Sequence, residues 1–201
     1  MNNIAKTAAL AFLLGFSGLA SAGHHESATH GGAQVKHIGY SQMGDPAAVL
    51  EVKTEASRAL SPGEVRVKVL ASPINPSYLM QIAGNYGVDP VLPARPGSEG
   101  IGRVTEASPD VQALKVGQLV LLASGTTWAE ELVAPAAAFL PLPDLGPVGA
   151  EVIEQLAMAA VNPLTALLML NSYTDVAEGQ WIAQSAANSA VGGYVIQLAK
   201  Q

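Results

Sequence analysis

The sequence contains no cysteine, little charge and no cluster of basic residues. Without cysteine the chain can form no disulfide, and it has neither a thiol nucleophile nor a thiolate ligand for zinc. Lysine and arginine number 10 against 16 aspartates and glutamates, which gives a net charge of −6. Nucleic-acid binding needs a basic surface or an aromatic platform. Because the sequence has neither pattern, we expect no nucleic-acid partner.

Apolar residues, in contrast, are plentiful. They make up 49% of the 201 residues, whereas charged residues make up only 13%. This composition is that of a folded protein with a substantial core, and the length suits one domain or slightly more.

The first 22 residues have the pattern of a secretory signal peptide. Lys6 gives the positive start, residues 7–20 are apolar, and residues 20–22 (Ala-Ser-Ala) form a small-residue cleavage pattern. The apolar run is too short to span a membrane, so we expect no stable span after cleavage. A mitochondrial presequence would need several arginines, but none precedes Arg58. The pattern predicts export to the periplasm or the medium, or a cytoplasmic protein if the signal is not used.

Residues 23–34 follow as a predicted flexible linker. They contain three histidines and a glutamate, and neutral imidazole is a good ligand for transition metals. No helical or strand period holds these side chains together. A flexible linker is therefore the favoured interpretation, and a weak metal site is the alternative.

The remaining chain divides into a β part and a helical part. In residues 35–145, strand-like runs alternate with glycine and proline turns, at 35–38, 49–52, 64–69, 100–105, 119–122 and 130–133. Short, punctuated strands are typical of a small barrel or sandwich. Residues 146–201 predict helices at 150–160 and 164–171, a strand at 180–185, and a turn at 186–193 leading into a helix at 194–201. This order is how a dinucleotide-binding unit begins.

A loop after the strand at 64–69 carries a candidate catalytic tyrosine. Ser77 is placed to cap a short helix, 78–83, which stops at Gly84. Tyr86 then stands in a tight turn between an asparagine and a glycine. Its phenol either faces a cleft or packs the loop against the core, and the residues alone leave both interpretations open.

Four blocks of sequence together resemble the medium-chain dehydrogenase/reductase superfamily: INPSYLMQIAGNYG, PARPGSEGIGRV, VNPLTALLML and SAANSAVGG. The resemblance runs from about residue 35 to residue 201 and is closest to the zinc-free 2-enoyl thioester reductases. It implies a mixed fold, in which a GroES-like β-barrel catalytic domain precedes the start of an α/β Rossmann-type cofactor domain. It also implies NADPH as cofactor, an acyl thioester as substrate and Tyr86 as the catalytic residue.

The same resemblance assigns the cofactor site. Asn162 matches a cofactor-contacting asparagine, and Thr165 matches a residue near the nicotinamide. The turn after the predicted strand matches the family's asparagine-serine variant of the dinucleotide-binding turn, which implies cofactor contacts from Asn188, Ser189, Ala190, Val191 and Gly192. From the residues alone, Asn162 is equally a helix cap before a proline, and the turn is equally a generic β–α connection.

The zinc-binding members of the superfamily have a Gly-His-Glu block where this sequence has Gly-Ser98-Glu99-Gly. Serine is not a usual zinc ligand, so we expect no metal. Glu99 is then a structural carboxylate bound to backbone or to an arginine such as Arg95 or Arg103, with a general acid–base role as the alternative.

Because the family's chains are much longer, the resemblance implies a C-terminally truncated member with impaired activity. Intact members commonly form homodimers, but the oligomeric state of this chain is left open. Two alternatives to the enoyl reductase remain: a quinone oxidoreductase-like enzyme, and a non-enzymatic exported β-domain that binds a partner or a small ligand.

Overall fold

The computed structural model describes residues 29–123, 126–173 and 176–200. The signal-like segment 1–22 lies outside these residues, as do His24 and His25, two histidines of the alternative metal site.

The β part consists of two antiparallel sheets. The first pairs β1 (Thr29–Gly39) with β2 (Glu51–Arg58), and one helical turn, α1 (Pro46–Val49), connects them. The second contains β3 (Glu64–Ala71), β4 (Gly100–Ala107), β5 (Leu119–Leu122), β6 (Glu131–Pro135) and β7 (Phe139–Pro141). Its spatial order is β6-β3-β4-β5-β7, and a short 3₁₀ helix, Ala136–Ala138, joins β6 to β7. These strands form a half-barrel.

The core of this half-barrel is made mainly of branched aliphatic side chains. They are Val65, Val67, Val104, Val120 and Leu122, each at most 1% exposed. Such side chains pack well on a pleated surface, which is why these runs form strands. Gly102 on β4 allows the close packing, because a Cβ there would lie 2.3 Å from Val67 Cγ1.

Four further helices complete the described structure: α2 (Pro76–Ile82), α3 (Ala150–Ala157), α4 (Val161–Ser172) and α5 (Ala190–Leu198). Helix α3 attaches the helical part to the barrel, since Ala157 is buried with Ile101 of β4 and Leu119 of β5. Helix α4 packs against α5. No single helix of the described ranges is long and apolar enough to cross a membrane, whereas α3 and α4 meet that measure as a pair bent by 47°.

Three local expectations are corrected by the structure. Residues 180–185 form no strand, and Trp181 is 98% exposed. A buried strand needs a neighbouring strand for its backbone hydrogen bonds, and none of the described residues supplies one.

Residues 49–52 are divided between α1 and β2, because Asp45 Oδ1 accepts a hydrogen bond from the Ala47 amide and caps a helical turn. Strand β1 begins at Thr29, within the predicted linker 23–34.

Candidate active site

Tyr86 lines a cleft between the barrel and the helical part. Gly84, at φ +74°, ends the segment that contains α2 and turns the chain towards Tyr86. The cleft has a volume of about 630 Å³, and its lining includes Tyr78, Ser98 and Val161 as well as Tyr86. Tyr86 is 48% exposed. Its side chain is therefore not buried in the core, so packing of the loop against the core does not account for its position.

Besides Tyr86, a hydrogen-bonded pair of hydroxyl groups lies in the same cleft. Ser98 Oγ donates a hydrogen bond of 2.8 Å to the Tyr78 hydroxyl, and the Tyr78 ring meets Trp128 edge to face with centroids 6.1 Å apart. Neither hydroxyl was predicted from the sequence as part of the site. The available signal was Ser98 itself, which stands where a zinc-binding relative has its histidine.

The carboxylate of Glu99 is completely buried. Its Oε1 accepts a hydrogen bond from Asn75 Nδ2 at 2.8 Å, and its Oε2 accepts one from the Val161 amide at 2.8 Å. The structural role expected for Glu99 is therefore present. The proposed arginine partners are wrong: Arg95 binds Glu55, and Arg103 donates to a backbone carbonyl on the loop before β5.

The backbone of Glu99 is bound as well. Its carbonyl oxygen accepts hydrogen bonds from Ser72 Oγ at 2.9 Å and from Thr127 Oγ1 at 2.8 Å, and those two hydroxyls are 2.8 Å apart. Glu99 thus joins the loop before α2, the loop before β6 and the start of α4.

Helix α4 carries two of the predicted cofactor-contacting residues, Asn162 and Thr165. It begins at Val161, with Ala160 at the N-cap, so Asn162 is the second helical residue and its interpretation as a cap is wrong. Ser77 is likewise not the cap of α2, because that helix begins at Pro76 after Asn75. Thr165 is exposed, and its Oγ1 donates to the Val161 carbonyl at 2.7 Å. Both predicted residues lie within two turns of the helix end that reaches the cleft.

The predicted dinucleotide-binding turn leads into α5. Ser189 caps this helix, since its Oγ accepts a hydrogen bond of 3.1 Å from the Gly192 amide. Gly192 fits closely against the preceding turn, where a Cβ would lie 2.7 Å from the Ala186 carbonyl oxygen. The described lining of the Tyr86 cleft includes none of the residues 188–192. The turn and the cleft are therefore two separate regions of this structure.

The charged group nearest the cleft is already paired. Arg95 lines the cleft and forms two hydrogen bonds with the Glu55 carboxylate, at 2.9 and 2.5 Å. These hydrogen bonds hold the pKa of Glu55 below its usual range. Within the described part of the chain, no three histidine or carboxylate side chains cluster as a metal site would require. The predicted absence of zinc remains a prediction.

Comparison with known proteins agrees with this fold. Residues 61–144 match the family model "Alcohol dehydrogenase GroES-like domain". Human mitochondrial enoyl-[acyl-carrier-protein] reductase is 40% identical over 169 residues, which cover 83% of this chain and 44% of the human protein. The chain thus spans about half the length of the curated relatives it matches.

Two solved structures are similar in fold. The complex of Etr1p with NADP and crotonyl-CoA superposes with a TM-score of 0.74 and 32% identity, covering 84% of this chain and 52% of that one. An NADPH:quinone reductase structure from Bacillus thuringiensis gives a TM-score of 0.69 and 30% identity, covering 84% and 50%.

The relatives contradict the predicted export of the protein. The human and Arabidopsis thaliana enoyl reductases are both named as mitochondrial proteins. The export prediction depended on a short apolar run followed by small residues, and such a compositional pattern is weak beside similarity extending over 169 residues. The export assumed in the alternative of a non-enzymatic β-domain is wrong for the same reason, whereas its non-enzymatic, partner-binding role stays a prediction.

The half-barrel, the GroES-like match and the similarity on both sides of the Tyr86 cleft agree with one another. The chain belongs to the medium-chain dehydrogenase/reductase superfamily, close to its enoyl thioester reductases, and contains the GroES-like domain with part of the cofactor domain.

Proposed function

We propose that this site reduces 2,3-unsaturated acyl thioesters with NADPH, and that Tyr86 is its catalytic residue. The observation that carries the proposal is the accessible Tyr86 phenol on a cleft that also reaches the first residue of α4. The similarity to a structure that holds NADP and crotonyl-CoA supports both the cofactor and the substrate class.

The residues present fit a dinucleotide. The first turn of α5 has backbone amides that lack partners within the helix, and such a turn favours an anionic pyrophosphate. Gly192 keeps the preceding turn close to α5, as the last position of the dinucleotide fingerprint requires. Asn188, Ser189, Ala190 and Val191 are the other proposed contacts at this turn. Asn162 and Thr165 are the proposed contacts on α4, nearer the cleft.

NADPH, when bound, supplies a hydride for the β-carbon of the substrate. The protein then has to stabilise the negative charge that develops on the thioester oxygen, and a neutral phenol can donate a hydrogen bond to it. Tyr86 fills this role or delivers the proton to the α-carbon. Both roles require an accessible hydroxyl, and the 48% exposure of Tyr86 on the cleft supports this requirement.

A quinone reductase is the second candidate, since the Bacillus thuringiensis structure shares the fold at 30% identity. A quinone can be reduced by hydride transfer without protonation of a carbon. Substitution of Tyr86 should therefore impair enoyl reduction far more than quinone reduction.

The test uses the purified 201-residue chain with NADPH, crotonyl-CoA and a soluble quinone. We expect saturable NADPH binding and crotonyl-CoA reduction, with kcat at least about 100-fold lower in Tyr86→Phe because a proton donor is lost. Tyr173→Phe is the matched control, since Tyr173 is 81% exposed and outside the cleft lining. NADPH binding without crotonyl-CoA reduction, or full activity of Tyr86→Phe, would contradict the proposal.

A further inference from the structure

Helix α4 has no local side-chain cap at its start. Its N-cap residue is Ala160, which carries no hydrogen-bonding side chain. The first amides of a helix lack partners within the helix, and a buried helix end without partners is unfavourable. For Val161 the partner comes from the barrel, 62 residues earlier in the sequence, as Glu99 Oε2 at 2.8 Å. The positive end of the helix dipole also favours a carboxylate at this position.

The other carboxylate oxygen fixes Glu99 to the loop before α2. Asn75 is the N-cap residue of α2, and asparagine at that position usually accepts a hydrogen bond from its own helix. Here Asn75 makes no side-chain cap and instead donates Nδ2 to Glu99 Oε1 at 2.8 Å. The asparagine is thus committed to the contact with Glu99 and leaves its own helix uncapped.

We propose that Glu99 is a positioning residue: its buried carboxylate bridges Asn75 and the Val161 amide, and so sets where α4 meets the Tyr86 cleft. This inference rests on the proposed function for its effect on catalysis. Glu99 itself is not among the residues that line the cleft, whereas Val161 is. Asn162 and Thr165 follow Val161 on the same helix, so a displaced first turn would displace both proposed cofactor contacts.

Three substitutions of Glu99 separate the requirements of the bridge. Glu99→Ala removes both acceptors, and Glu99→Asp keeps the charge but is one methylene too short to reach both partners. Glu99→Gln keeps an oxygen that can accept from the Val161 amide. Its own amide nitrogen can donate to Asn75 Oδ1 once the Asn75 side-chain amide flips. Glutamine should therefore restore the bridge that aspartate loses.

Thr127→Val is the matched control. Thr127 is fully buried and donates to the Glu99 carbonyl, so valine disturbs the same cluster while leaving the carboxylate on Val161. If Glu99 has a purely structural role, the Glu99→Ala, Glu99→Asp and Thr127→Val proteins should show similar Val161 exchange rates and NADPH affinities at equal loss of thermal stability.

The experiment measures hydrogen exchange of the Val161 amide by NMR in the full chain, with α5 amides as internal reference, together with the Kd for NADPH and kcat. We expect Val161 exchange about tenfold faster or more in Glu99→Ala and Glu99→Asp, because the Val161 amide loses its hydrogen-bond acceptor. Glu99→Gln and Thr127→Val should stay within about threefold of the original chain. If Glu99→Ala does not fold, the aspartate and glutamine variants decide the outcome.

Unchanged Val161 exchange in Glu99→Asp, or equal acceleration in Thr127→Val, would overturn the positioning role. Faster exchange with unchanged NADPH affinity and kcat would overturn its effect on the site. Failure of the original chain to bind NADPH would refute the proposed function instead, while the exchange rates would still decide whether Glu99 caps α4.

Discussion

Substitution by alanine should change the stability of α5 in opposite directions at its two neighbouring glycines, Gly192 and Gly193. A Cβ at Gly192 would lie 2.7 Å from the Ala186 carbonyl oxygen and 2.8 Å from that of Ala187. These are backbone atoms, which cannot rotate away, so either the turn or the helix must move. A Cβ at Gly193 would meet no atom within 4 Å.

The expected magnitudes follow from these contacts. Overpacking costs about 1–3 kcal/mol, and here no flexible side chain is available to relieve it. Alanine at an unobstructed helical glycine stabilises by about 0.5–1 kcal/mol, because the unfolded chain loses conformational freedom. Because that gain is common to both variants, Gly192→Ala should be less stable than Gly193→Ala by the overpacking cost, about 1–3 kcal/mol.

The opening free energy of α5, measured by amide hydrogen exchange, is the direct assay because unfolding of this helix need not involve the barrel. NADPH titration of the same two proteins adds a functional readout, and affinity should fall only in Gly192→Ala. Equal stability of the two variants would show that the turn yields without cost, and the fingerprint role of Gly192 would then be wrong.

Two further predictions concern pH. Hydrogen bonds from Arg58 at 2.6 and 2.7 Å hold the pKa of Glu64 below its ordinary 4.5. The contribution of Glu64 to folding stability is therefore present above about pH 4.5 and is lost as the pH falls through the folded pKa. Glu64→Gln should flatten the pH dependence of urea unfolding in that range, and an unchanged profile would contradict this. Burial lowers the pKa of His37 below 6.5. As the pH falls, the unfolded chain therefore binds the proton at a higher pH than the folded chain does, and folding stability should decrease below about pH 6.5. An NMR titration of the His37 ring that gives a pKa of 6.5 or higher would refute this prediction.

The barrel was predictable from the sequence because its strands are short, rich in branched aliphatic side chains and separated by turns. Residues 119–122 were predicted as a strand and form β5 with the same bounds. The position of Tyr86 beside a cleft was one of two interpretations, and only the tertiary structure, in which α2 and the first residue of α4 line the cleft, distinguishes them. Local chemistry sets a strand or a turn, whereas a cleft depends on how distant elements meet.

The errors have the same origin. Residues 180–185 have the composition of a buried strand, but a strand is stable only beside another. The cap of α4 was assigned to a local asparagine, whereas the actual partner of Val161 is Glu99, 62 residues away. No local pattern identifies such a partner, because its position depends on the completed barrel.

The separation of Glu99 and Val161 also has a consequence for biosynthesis. Ribosomes add about 5–20 residues per second, so Glu99 leaves the ribosome some 3–12 s before its helix partner. During that interval strands β4 to β7 emerge and complete the half-barrel that β3 began, and Asn75 is already present as the side-chain partner of the carboxylate. Until α4 arrives, one oxygen of the Glu99 carboxylate therefore waits without its Val161 partner, and synthesis of the helix completes the bridge.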